Sequence, residues 1–578
     1  MTVGLHRSPS LANRIRSGRI VRVANDTASA AQLLVDCLAE QRVDRIFTVP
    51  GESFLSVLDA LHDRSDIDTI TCRQEGGAAF MACADGALTQ RPGIAFVTRG
   101  PGATNASIGV HVAHQDSQPM ILFVGDVARG MREREGFQEI DFPAFFTPIS
   151  KWAARIDDAK RIPEYVARAF SVATHGRPGP VVLALPEDML CDTVPASIPA
   201  LPHTPDAFAQ PCGDLHWLAQ RIASAQSPIA IIGGAGWNVG ARDAFQSFAE
   251  AIGLPVATAF RRQDAISANS PVYAGNLGYG PNPKLLERVR GSDFLLTVGA
   301  RLGEATTEGY SVPELRNENR FHVHVHPDPE ELGSVYPAHR QICCNVHEFA
   351  QSCSDIDLTD IPQSPEGAIA NEQWQDWATY RAPVDPPKLD MGACVSHMLN
   401  LFPKETMICN GAGNFAGWWH RYWRYADYPS QLAPTCGAMG YGVPAALAAA
   451  LRHPDKQVVA VSGDGDFLMN GQELATAAQY GANLLVLVID NSAYGTIRMH
   501  QEREYPERVS ATSLVNPDFA ALGASFGAWT ASVETTEQFK EALADSRDRK
   551  GLRLIHMTID IEQLAASGAT ISGLRARA

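Results

Sequence analysis

The chain has 578 residues, 45% of them hydrophobic and 19% charged, with a formal net charge of −16. That length exceeds what one hydrophobic core can organise and predicts about three domains. The acidic balance excludes nucleic acid or an anionic membrane as the main partner, since both need a basic face, but it leaves room for a small acidic substrate at a locally positive pocket.

In chain order, residues 1–25 hold five arginines and no acid. A tail over 1–26 is expected, with a targeting segment as the alternative. From Thr27 onward Ala30, Leu33, Leu34, Cys37 and Leu38 recur at helical spacing. Strands and helices then alternate: a strand at Arg45–Val49, a helix from Glu52, a strand at Thr69–Cys72, a helix from Glu75, a strand at Ile94–Thr98, then a Gly-rich turn, a helix and a strand at Met120–Gly125. Strands that are apolar without alternation are covered on both faces, as in parallel α/β sheets. This first domain runs over 27–195. Pro-rich stretches at Pro195–Pro211 and Pro362–Pro387 read as linkers. Between them a central domain over 212–360 has strands at Pro228–Gly234, Phe294–Gly299 and His322–His326. A third domain over 387–567 has strands at Val458–Ser462, Leu484–Asp490 and Arg553–Ile559, and 568–578 closes the chain as a tail. The fold class is α/β, with three doubly wound parallel-sheet domains. No apolar run approaches the ~18–20 residues of a membrane span. The 11 scattered cysteines, with no zinc-like spacing, predict reduced thiols and a cytoplasmic chain.

The third domain carries the strongest chemical signal. One strand runs into Gly463-Asp464-Gly465 and the next into Asp490-Asn491-Ser492-Ala493-Tyr494-Gly495. In a parallel sheet both strands end on the edge where ligands bind. Asp464 and Asn491, 27 residues apart, can therefore meet on one cation. A carboxylate, an amide oxygen and a backbone carbonyl suit magnesium, and the glycines and helix start suit a diphosphate.

That spacing is the thiamine diphosphate motif. From about Thr27 to Ser567 the chain resembles the acetolactate synthase-like branch of the thiamine diphosphate enzymes. The resemblance implies Asp464, Asn491 and the backbone oxygen of Ala493 as Mg2+ ligands, with Gly463, Gly465, Asp466, Tyr494 and Gly495 around the diphosphate. It implies Gly411-Ala412-Gly413-Asn414 as the loop over the diphosphate, with Gly413 and Asn414 in contact, and Gly437 and Met439 as the segment that wedges the cofactor's two rings together. The usual Thr-Asp before that loop reads Cys409-Asn410 here. In the first domain the resemblance implies Glu75, in Arg73-Gln74-Glu75-Gly76-Gly77, as the cofactor-activating glutamate at the pyrimidine ring nitrogen. A buried carboxyl there would suit a proton shuttle. Pro50, Thr98, Pro101 and Asn105 would surround the pyrimidine. Phe137-Gln138-Glu139 and Lys151-Trp152 match segments lining the access, with Gln138 and Lys151 as candidates to grip a carboxylate or a cofactor tail. The central turns Gly233-Gly234-Ala235-Gly236 and Gly299-Ala300-Arg301 correspond to a pocket that holds FAD in the synthases and ADP in oxalyl-coenzyme A decarboxylases. A homodimer or homotetramer is implied, each site drawing on the first domain of one chain and the third of another.

Two positions depart from the biosynthetic synthases. Glu52 stands where they carry glycine, and related pyruvate decarboxylases also place a carboxylate there, so Glu52 is a candidate catalytic group. His500 stands where they carry tryptophan. Three readings follow: decarboxylation of a 2-oxo acid with ligation to an acceptor carbonyl, a lyase or decarboxylase acting on 2-hydroxyacyl- or oxalyl-coenzyme A, and an inactive binding protein that kept the fold.

Overall fold

A computed structural model describes residues 27–201 and 213–577. The expected N-terminal tail and most of the first Pro-rich linker lie outside the described residues. Three six-stranded sheets, each wholly parallel, form the framework. In the first, the spatial order is Asp68–Thr71, Arg45–Thr48, Gly93–Val97, Met120–Asp126, Pro180–Pro186, Trp152–Arg155. The central sheet is built around Pro228–Ile232, Phe294–Val298 and Phe321–His326. The third is built around Met407–Asn410, Val458–Gly463, Leu484–Asp490 and Leu552–Thr558. The fold is the expected one, and neighbouring residues on the strands face opposite cores. Ile94 and Phe96 belong to one cluster, Ala95 and Val97 to another.

One core crosses from the first domain into the third. It joins Ala78, Ala79, Ala82 and Cys83 of the helix Glu75–Thr89 to Ala445, Ala446, Ala448 and Ala449 of the helix Gly442–Arg452. Small side chains let these helices approach closely, and the Phe80 and Tyr441 rings meet edge to face at 5.4 Å. At the far end Arg452 forks onto Asp85 with two bonds of 2.8 Å and reaches Asp44 at 2.7 Å. A larger residue at the alanine seam would overpack it, at a cost of about 1–3 kcal/mol. The first and third domains of one chain are therefore a single packed body.

Two expectations need correction. The Pro362–Pro387 stretch is not only a linker. It contains the helix Glu366–Ala378, whose Trp374 is buried edge-on against Tyr273 of the central sheet at 4.6 Å. The closing segment is not a free tail. It carries the helix Ile571–Arg575, and Arg575 binds the buried Glu502 at 2.8 and 2.9 Å. No helix among the described residues is long and apolar enough to cross a membrane.

Candidate active site

The helix carrying Glu75 begins where the sequence placed it. Gln74 caps it, its side-chain oxygen accepting from the Gly77 N–H at 3.0 Å, so Glu75 is the first helical residue. Asn105 donates to Glu75 Oε2 at 2.9 Å. Thr98 and Glu75 both pack on Gly102; the Thr98 hydroxyl pairs with Ser53 at 2.9 Å, and a Cβ on Gly51 would stand only 2.4 Å from Thr98 Cβ. Only glycine fits that approach, which fixes Pro50 and Glu52 next to Thr98. Gln138 joins the group through its backbone, accepting from the Gly100 N–H at 3.0 Å, while its side-chain Oε1 is buried without a partner. Glu75, Asn105, Thr98, Pro101, Pro50, Glu52 and Gln138 thus gather on one sheet edge. Glu75 is half-buried in the single chain rather than fully buried, and Pro50, Pro101 and Asn105 are exposed.

The third domain brings its own group together. Asp464 opens a helix after Val458–Gly463, and Asn491 and Ala493 follow Leu484–Asp490. The Ala493 N–H donates to Asp464 Oδ2 at 3.1 Å and to Asn491 Oδ1 at 3.2 Å, so both oxygens surround one N–H. Asn516 bridges Asp464 and Asp490 at 2.8 and 2.9 Å. Burial pushes the Asp464 carboxyl up to about 6, the Asp490 charge adding to the rise against the hydrogen bonds it accepts. Burial acts upward on Asp490 too, but bonds from His556, Ser492 and Asn516 outweigh it and hold that carboxyl low. A buried carboxylate with raised proton affinity beside an amide oxygen is a donor set that a hard cation fits. It uses one carboxylate, and among the described residues no cluster of three or more His, Cys, Asp or Glu forms a metal site.

Around this pair Tyr494 packs on Gly465, Asn491 on Gly495, and Phe415 on both Gly413 and Gly463. Asn414 is tied to the helix Gly495–Glu504 through its N–H to the Thr496 hydroxyl at 3.0 Å. Gly437, with φ of 73°, is exposed and has open space on its Cβ side, and Met439 is half-buried. Asp466, expected at the cofactor, is 2% exposed, and burial lifts it to about 6. Its Oδ1 accepts from Ala412 at 3.1 Å and Gly440 at 2.8 Å. It ties the 411–414 loop to the 437–442 segment.

Models for the N-terminal, central and C-terminal domains of thiamine pyrophosphate enzymes match residues 28–145, 215–353 and 411–557. The chain is 32% identical over 521 residues to the acetolactate synthase large subunit of Parasynechococcus marenigrum, covering 87% of this chain and 83% of that protein. It is 30% identical to the acetolactate synthase of Bacillus subtilis, over 92% of this chain and 93% of that protein. The Escherichia coli acetolactate synthase isozyme 2 large subunit is 28% identical, over 92% and 96%. The chain belongs to the thiamine pyrophosphate enzyme family.

In this thiamine pyrophosphate-dependent enzyme two site-supporting residues carried no local signal. Glu473, fully buried, accepts from the Arg73 and Gln74 N–H groups at 2.9 and 3.0 Å and from Thr476 at 2.6 Å. A third-domain carboxylate therefore sets the turn that launches Glu75. Asp116, at the far end of the helix Gly100–Asp116, accepts from the Thr435 N–H at 2.8 Å and its hydroxyl at 2.5 Å, and so holds the segment leading to Met439. Both links join residues more than 300 positions apart.

The access and central-domain candidates have partners of their own. Lys151 is bonded to backbone outside the Gln138 group. Its ammonium donates to the His175 carbonyl at 2.6 Å, and burial lowers it to about 8. The central glycine turns pack on each other: a Cβ on Gly234 would lie 2.0 Å from the Gly299 carbonyl, and one on Gly299 2.6 Å from the Gly233 carbonyl. Only glycine fits this mutual approach, which brings the two turns together at the ends of neighbouring strands. His500 is exposed and contacts Arg503 at 2.7 Å.

Proposed function

We propose that this enzyme decarboxylates a 2-oxo acid and joins the remaining acyl unit to an acceptor carbonyl, as the acetolactate synthase names of its relatives suggest. The observation that carries the reading is the pair of pre-built groups: Glu75 with Asn105 on one sheet edge, Asp464 with Asn491 about a single N–H on another. When bound, thiamine diphosphate supplies the carbon nucleophile and the electron sink. Asp464, Asn491 and the Ala493 carbonyl would hold Mg2+ on the diphosphate. Glu75, oriented by Asn105, would exchange a proton at the pyrimidine ring nitrogen. Thr98, Pro101 and Pro50 would line the pyrimidine, and Met439 would prop it. Asp466 would keep the two covering segments in register.

Among the described residues no hydrogen bond joins the Glu75 group to the Asp464 group within one chain, and the Glu75 side is open to solvent. A homodimer, with each site shared between two chains, is the smallest unit that closes it. The central turns Gly233-Gly234-Ala235-Gly236 and Gly299-Ala300-Arg301 would be the place for an FAD or an ADP group, and the carbon–carbon chemistry proposed here draws on thiamine diphosphate. The scattered cysteines, with no zinc-like spacing, suit action in the cytoplasm. The test is incubation of the enzyme, thiamine diphosphate and Mg2+ with a panel of 2-oxo acids, diketones and acyl-coenzyme A thioesters, with products read by mass. Carbon dioxide and a hydroxyketone are expected from a 2-oxo acid. Turnover confined to the thioesters would replace this reading with a coenzyme A lyase.

A further inference from the structure

Three strands of the first sheet deliver charged groups to one place on its ligand edge. Glu52 follows Arg45–Thr48, Arg99 follows Gly93–Val97, and Glu187 follows Pro180–Pro186. The Arg99 side chain is only 9% exposed. Its Nη2 donates to Glu187. Its Nη1 stands 3.5 Å from Glu52 Oε1, too far for a good hydrogen bond, and the Glu52 side chain is 63% exposed. Arg99 Nε is buried with no hydrogen-bond partner. The guanidinium is therefore pinned on one side and under-used on the other.

The charges make the asymmetry meaningful. Glu187 already neutralises Arg99, so Glu52 is a surplus anion in a loose, exposed pair, and such pairs hold weakly. The Arg99 backbone adjoins Thr98 and Gly100 in the Thr98, Pro101 and Gln138 group, and its guanidinium reaches that sheet edge at Glu52, two residues after Pro50. A carboxylate arriving there would find a desolvated guanidinium, already oriented, with donors to spare, the setting in which charge-assisted hydrogen bonds are strongest.

We propose that Arg99 selects an acceptor that bears a carboxylate, and that Glu52 is the counter-ion displaced when this acceptor binds. The inference rests on the ligation reading above. It gives Glu52 a role in choosing the acceptor, by competing with the acceptor's anion for Nη1.

The test is a competition. The holoenzyme, charged from one 2-oxo acid donor, is offered a second 2-oxo acid and a neutral aldehyde of similar size in the same mixture, and the two ligation products are quantified. Their ratio reports relative kcat/KM for the acceptors and cancels losses common to both. Arg99→Ser should lower the anionic-to-neutral ratio about 10- to 100-fold, and Arg99→Lys should lower it less. Glu52→Gln should raise it several-fold, mainly through the KM of the anionic acceptor. A fall in both products with the ratio unchanged would overturn the proposal and leave Arg99 as a structural pin for Glu187. Should Arg99→Ser fail to fold, exposed Glu52→Gln carries the test alone, and an unchanged ratio there overturns the proposal. A parent enzyme that forms no ligation product with any acceptor defeats the ligation reading and this inference together. A parent that ligates, with flat ratios across the variants, defeats this inference only.

Discussion

The two halves of the proposed cofactor site are finished to different degrees. On the third domain Asp464 and Asp466 are buried, hydrogen-bonded to backbone N–H groups and raised to about 6 by that burial. On the first domain Glu75 is half-buried, and Pro50, Pro101 and Asn105 face solvent. The difference follows from what each half must do. Cation and diphosphate binding needs rigid oxygen donors and loops that one chain can pre-organise at the ends of two neighbouring strands. A glutamate that works by proton transfer needs a dry setting, and one chain does not provide it here. The proposed metal half is pre-organised within one chain, whereas the proposed glutamate half is a face that a second chain would cover.

Four experiments press on that contrast. Glu75→Gln should cut turnover by about 10²- to 10⁴-fold while leaving the thermal midpoint and cofactor affinity near the parent's, because the half-buried side chain carries little of the packing. Steady-state rates with saturating cofactor would decide this, and a near-normal rate would remove Glu75 from the chemistry. Asp464→Ala should act on binding first, weakening Mg2+-dependent thiamine diphosphate affinity by about 100-fold in calorimetry, the loss expected when a buried charged partner is taken away. Affinity equal to the parent's would show that the receptacle is not the metal half. Mixing these two inactive chains should restore roughly a quarter of parental activity, since half of randomly formed dimers carry one intact site. No recovery after verified exchange of chains would mean that the glutamate face is covered within its own chain. The smallest effect is expected from Glu473→Gln. It removes the charge and one of the two oxygens that accept from Arg73, Gln74 and Thr476, and should lower turnover about tenfold and stability by about 1–3 kcal/mol. A fall in thermal stability with turnover unaltered would make Glu473 a clamp with no bearing on Glu75.

Much of the framework was legible because its signals are local. The strands ending at Gly463 and Asp490 open with the apolar runs Val458–Val461 and Leu484–Ile489, and both are buried throughout. The turn before Glu75 and the glycines after it fix a helix start that the structure places at that residue. The helix Glu366–Ala378 was hidden by the prolines on either side of it, its place decided by Trp374 finding Tyr273. Glu473 and Asp116 were invisible for a different reason: each is an ordinary acidic residue in sequence, and its partners lie in another domain. The Glu52–Arg99–Glu187 group was half visible. Glu52 stood out by its departure from the synthases, but the arginine that gives it meaning emerged only once three strand ends were seen to converge.

The helix Gly100–Asp116 has 17 residues, which makes it a rod about 25 Å long. Its first two turns carry Pro101 and Asn105, and its last residue grips Thr435 ahead of Met439. Where two chains share each site in the proposed way, the Asn105 end of this rod serves one cofactor and the Asp116 end serves the other. Each dimer then contains two such struts running in opposite senses between its reaction centres. A defect at Asp116 would be felt as a loosened ring prop in the site that its own Asn105 does not serve.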